Sequence, residues 1–149
     1  MRLQTILVPI DFSPFSAQAF QWAVGIATAR QAKIILLHAV HPLAHLAFPE
    51  SVCLTDFPTI ERELKREAKK QLDHLAAHTV PSPPVPVTTQ VVMGDPVGEI
   101  CQAAIREQVD LIVMGSRGRT GLSHVLLGSI AERVMRHAPC PVLVVRSPQ

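Results

Sequence analysis

Residues 110–145 read DLIVMGSRGRTGLSHVLLGSIAERVMRHAPCPVLVV, and this stretch decides the fold. DLIVMG (110–115) is a short apolar run with the branched residues that a strand favours. Glycines at 115, 118 and 121 then interrupt every regular pattern. Gly128-Ser129 opens a run in which Ile130, Ala131 and Val134 recur at helical spacing, so all three are expected to face inward. Pro139 and Pro141 close that helix, and PVLVV (141–145) returns to strand composition. Strand, helix and strand in this order make a crossover unit whose two strands run parallel.

The same alternation extends upstream. LQTILVPI (3–10) reads as a strand ended by Pro9 and Asp11, and Ser13-Pro14 supplies an N-cap and first-turn proline for a helix over 14–30. KIILLHAV (33–40) is apolar almost throughout, as a strand buried on both faces should be. Residues 41–56 lack periodicity and read as a long connection. From 58 to 78, Ile60, Leu64, Ala68, Leu72 and Leu75 form one apolar stripe opposite a charged face. PSPPVP (81–86) is too proline-rich for regular structure, and PVTTQVVMG (86–94) is a third strand. Asp95-Pro96 repeats the cap and proline, opening a helix with Val97, Ile100, Ala104 and Ile105 inward. Five such alternations predict an α/β fold: a five-stranded parallel sheet with helices on both faces, built as a single domain over residues 1–149. Sheets of this kind bind ligands beyond the carboxyl ends of their strands, where the strand order reverses. That rule singles out residues 9–13, residues 39–42 and the segment from Gly115 onward.

Composition narrows the function. A hydrophobic fraction of 48% in 149 residues is enough for a sizeable core. A formal net charge of +2 is too small to argue for nucleic acid or a membrane surface. With one Trp and no Tyr, the core must be aliphatic, and stacking on bases is an improbable recognition mode. No apolar run is long enough to span a bilayer, and the N-terminal stretch has no signal-peptide pattern. Three widely spaced cysteines, Cys53, Cys101 and Cys140, never form a CxxC and suggest a reducing compartment. A cytoplasmic protein is expected.

The glycine segment can hold an anion. Glycines let a ligand approach the main chain closely. Gly128-Ser129 stands at a helix start, where free N–H groups and the positive end of the macrodipole attract phosphate. Arg117 and Arg119 add charge nearby. The segment is neither a Walker A loop nor a GxGxxG dinucleotide turn. On local chemistry alone, a bare glycine turn explains it equally well.

Spacing changes that balance. Gly115-x-x-Gly118, nine residues, then Gly128-Ser129 resembles the ATP-binding motif of universal stress proteins, G-2x-G-9x-G-(S/T). TILVPIDFS (5–13), IILLHAV (34–40) and LLGSIAERVMRHAPCPVLVV (126–145) are similar to flanking segments of that family. The resemblance covers essentially the whole chain. It implies a nucleotide-binding fold of the adenine nucleotide alpha hydrolase type, with ATP and Mg²⁺ as ligands, usually in a homodimer. By the same resemblance Asp11 would meet the nucleoside or its metal, and the main chain of Ala39 would lie against adenine. Pro9 and Met114 would border the site from the first and fourth strands. Gly115, Arg117 and Gly118 would line the ribose and phosphates, and Gly128, Ser129 and Ile130 would cap the phosphates. Position 39 departs from the larger Val often found there, which implies a looser adenine contact. Dimers would form through the last strand, from Pro141 to Val145, pairing across a two-fold axis.

Other candidates have blander readings. Ser13 already fits the helix cap, which leaves Asp11 for a ligand. The pairs His41/His45 and His74/His78 have i,i+4 spacing, yet read better as exposed histidines than as metal ligands. His38 reads as a satisfied core histidine beside the pocket, and core packing accounts for Met114 alone. Nothing in the sequence lowers the pKa of Cys140. Arg117, Arg119, Arg133 and Arg136 make only a modest basic patch. With no lysine in 115–129 and no positioned base, rapid phosphoryl transfer is not expected. The leading reading is a nucleotide-dependent regulatory module. A slow ATPase or autophosphorylating phosphotransferase and a nucleotide-free dimeric partner-binding domain are the alternatives.

Overall fold

The computed structural model describes residues 3–43, 56–79, 85–116 and 127–146. Nine elements alternate along the chain: β1 (Thr5–Pro9), α1 (Pro14–Arg30), β2 (Lys33–Val40), α2 (Phe57–Thr79), β3 (Val87–Met93), α3 (Pro96–Arg106), β4 (Leu111–Gly115), α4 (Ser129–His137) and β5 (Val142–Val145). The strands form one parallel sheet in the order β3-β2-β1-β4-β5. Every element expected from the sequence is present, with bounds that move by only a residue or two, as helix and strand ends commonly do.

Side-chain alternation along the strands builds two cores. Ile6, Val8, Ile10, Ile34 and Leu36 pack with Phe20, Ala23 and Leu72 of α1 and α2. Leu7, Ile35, Leu37, Ile112 and Met114 pack on the other face with Val97, Ile100 and Ala104 of α3 and Ala131 and Val134 of α4. Each fully buried aliphatic side chain contributes about 2 kcal/mol through the apolar area it removes from water. The aliphatic core expected from composition is therefore present on both faces.

The helix starts follow the sequence. Ser13 Oγ accepts from the Ser16 amide at 3.2 Å, with Pro14 in the first turn of α1. Asp95 Oδ2 accepts from the Gly98 amide at 3.0 Å, with Pro96 beginning α3. Three inward assignments are corrected. Ile105 is 65% exposed, because the buried stripe of α3 runs through Val97, Ile100, Ala103 and Ala104 and position 105 falls beyond it. Ile130 is 40% exposed: it sits in the first turn of α4, where Ala131 and Val134 take the inward face. Leu64 is 42% exposed, since the buried part of the α2 stripe is Ala68 and Leu72.

Candidate functional site

β2 follows β1 on one side of the sheet and β4 lies on its other side, so the chain order reverses between β1 and β4. Beyond the carboxyl ends of these strands lies a cavity of about 350 Å³, within the range of roughly 300–1,000 Å³ usual for small-molecule sites. β1 contributes Pro9 and is followed by Asp11; β2 contributes Ala39, β4 Met114 and Gly115, and the start of α4 Gly128, Ser129 and Ile130. Eight of the ten residues expected at the site thus line one cavity. Arg117 and Gly118 lie outside the described residues, as do Arg119, Gly121, His45 and Cys53.

The turn after β1 sets Asp11. Its Oδ1 accepts from the Ser13 amide at 3.0 Å, and its own amide approaches Ser16 Oγ at 3.4 Å. The carboxylate therefore braces the turn while Ser13 caps α1, and the two roles stay separate. Phe12 completes the turn with φ 63°, a left-handed conformation that is costly for a bulky residue. Its ring lies 4.6 Å from the imidazole of His38, tilted by 45°. His38 Nδ1 in turn donates to the Ile10 carbonyl at 2.7 Å. The satisfied histidine expected from sequence is present, only partly buried and lining the cavity.

The end of β4 meets the start of α4. The Ser116 amide donates to Val145 O at 2.8 Å, and the Gly128 amide donates to Ser116 O at 2.7 Å. Gly128 is the N-cap of α4 and offers no side-chain acceptor, so it supplies no side-chain cap to the amides of the first helical turn. An uncapped helix start aimed at a cavity suits an anion. Gly115 has a packing duty as well. A Cβ there would lie 2.9 Å from the carbonyl carbon and oxygen of Phe15. Its missing side chain admits the first turn of α1, a packing role beyond the ligand approach expected from the sequence.

The walls are largely apolar. Ile10 and His41 fall within the strand ends singled out from the sequence, whereas Leu37, Pro96, Ile100 and Ala131 line the cavity without having been expected there. Ile100 looked like plain core because its helical spacing is a core spacing. Asp95-Pro96 directly after β3 was the available signal, since it places the start of α3 at the same edge of the sheet.

The remaining candidates lie elsewhere. His74 and His78 stack at 3.9 Å on exposed α2, with His78 Nδ1 bonded to the His74 carbonyl at 2.8 Å. Among the described residues, no three His, Cys, Asp or Glu side chains gather as a metal set. Burial pushes the thiol pKa of both Cys101 and Cys140 upward, so neither is an activated thiolate. No helix among the described residues is long and apolar enough to cross a membrane.

With this geometry in place, the model of the universal stress protein family matches residues 2–146. The chain belongs to the universal stress protein family. Universal stress protein YxiE of Bacillus subtilis is 37% identical over 145 residues, covering 95% of this chain and 97% of that protein. The solved structure of MJ0577 from Methanocaldococcus jannaschii superposes with a TM-score of 0.84 at 31% identity, covering 100% of this chain and 99% of that one. A universal stress protein solved in complex with cAMP gives a TM-score of 0.63 at 26% identity, with 98% of each chain covered. The fold of this universal stress protein, a parallel five-stranded sheet with helices on both faces, is thus shared with solved members of the family.

Proposed function

We propose that this universal stress protein binds an adenine nucleotide, ATP with Mg²⁺, in the cleft between the ends of β1 and β4, and works as a nucleotide-dependent regulatory module. The observation that carries the proposal is the gathering of Pro9, Asp11, Ala39, Met114, Gly115, Gly128, Ser129 and Ile130 around one cavity at the point of strand reversal. The apolar walls suit a base, and the uncapped start of α4 suits phosphate. The cAMP complex of a family member supports an adenine nucleotide as the ligand class.

Backbone register supports the base end. The pairing of β1 with β2 ends at Pro9↔Leu37, while β2 and β3 continue to Val40↔Met93. Odd-numbered residues of β2 bond towards β1, so the N–H and C=O of Ala39 point past the end of β1. A donor and an acceptor on one residue match the N1 and N6 edge of adenine. The small side chain of Ala39 leaves space beside it. For Mg²⁺, the Ser13 amide occupies Oδ1 of Asp11. One carboxylate plus phosphate oxygens is an ordinary magnesium environment. Bound there, the ion would neutralise phosphate charge.

Segment 115–129 contains no lysine, so any hydrolysis or autophosphorylation should be slow. β5 stands at the edge of the sheet, with Leu143 36% exposed, and we assign it to pairing with a second copy. Denaturing the purified protein and running the released small molecules on anion-exchange chromatography tests the ligand. Co-purified adenine nucleotide supports the reading. No nucleotide on the column, with no uptake of added ATP and Mg²⁺, refutes it.

A further inference from the structure

We infer that His38 is a positioning residue for base recognition: by holding the Ile10 carbonyl, it ends the β1–β2 ladder and keeps the main chain of Ala39 open to the base. This inference rests on the nucleotide reading above. Lys33 N donates to Gln4 O at 2.8 Å and Ile10 N to Leu37 O at 2.8 Å, so the odd residues of β2 address β1. Ile34 N donates to Pro86 O and Gly94 N to Val40 O, so the even residues address β3. The next rung towards β1 would join the Ala39 amide to Ile10 O. His38 Nδ1 takes that oxygen instead, at 2.7 Å. A carbonyl only accepts, so Nδ1 carries the proton.

Ile10 is 3% exposed, and a buried carbonyl without a partner is costly. The imidazole therefore satisfies a group that would otherwise recruit Ala39. Its ring also backs Phe12, whose left-handed backbone turns the chain between Asp11 and Ser13. One side chain thus ties the base end of the cleft to the turn that carries Asp11.

Two variants separate these contributions. His38→Phe keeps a ring against Phe12 and removes the donor; His38→Asn offers an amide donor near the place of Nδ1. Amide hydrogen exchange at Ala39 is read in the nucleotide-free protein, and affinity is read with adenosine, which has no phosphate. Thermal unfolding of both variants checks that each is folded. In His38→Phe, exchange at Ala39 should slow by about tenfold as its amide joins Ile10 O, and adenosine should bind about tenfold more weakly. His38→Asn should stay within about threefold of wild type in both. Unchanged exchange in His38→Phe overturns the ladder assignment, and slowed exchange with unchanged affinity overturns the link to the base. Wild-type protein that takes up ATP with Mg²⁺ but no adenosine overturns base recognition at Ala39. Wild-type protein that takes up neither overturns the nucleotide reading itself, while exchange at Ala39 still decides the ladder assignment.

Discussion

Gly115 and Asp11 each make a structural contact beside the ligand role proposed for them, and only the proposed role can be read from the sequence. The spacing to Gly118 and Gly128 marks Gly115 as part of a ligand motif, but its contact with Phe15 joins residues a hundred positions apart. Gly115→Ala would press a Cβ against the Phe15 main chain at 2.9 Å, where nothing can swing aside. The ligand-free protein should lose about 1–3 kcal/mol, measured by denaturant unfolding. Asp11 is legible as a polar residue left over once Ser13 caps α1; its bond to the Ser13 amide is not. Asp11→Asn preserves that acceptor and should leave the melting temperature nearly unchanged. It should weaken ATP binding about tenfold with Mg²⁺ present and much less without it, read by titration under both conditions. An equal loss in both conditions would place the metal elsewhere.

Among the elements, the strands and helices were legible because their apolar spacing and caps agree: Ser13-Pro14 and Asp95-Pro96 both begin helices where expected. Less legible were the faces of short helices, as Ile105 and Ile130 show, because a wide apolar arc fits several rotations about the helix axis. The joint between β1 and β4 at the amino ends of the strands was not legible either. Asp110 Oδ2 accepts from the amides of Gln4 and Thr5 at 2.8 and 2.9 Å. These two backbone N–H groups hold its carboxyl below the usual 3.8. A folded pKa below the unfolded one contributes stability above the unfolded value, and that contribution is lost as pH falls through the folded value. Asp110→Ala should therefore cost roughly 1 kcal/mol at pH 7, after allowance for solvent screening. The cost should fade below about pH 4, where the unfolded carboxyl titrates. A cost that stays constant down to pH 2 would assign the effect to packing.

At the scale of the whole molecule, the order β3-β2-β1-β4-β5 places the cleft at the centre of the sheet and leaves β5 at its edge. Strand alternation made the sheet legible, and the rule for strand reversal then placed the cavity. The cavity's full lining was not legible, since Leu37 and Ile100 carry the same signal as any core residue. The pairing proposed for β5 has its own consequence: the wild-type protein should scatter light as a dimer and Leu143→Asp at half that mass. A monomeric wild type or a variant of unchanged mass would contradict the pairing. The claim on which the rest depends is that the central cleft takes an adenine nucleotide. Calorimetric titration of the nucleotide-stripped protein with ATP and Mg²⁺ tests it most directly. One saturable site per chain, with a Kd tighter than about 1 mM, is the expected result. No heat of binding at millimolar ATP, from protein shown to be folded, would contradict it.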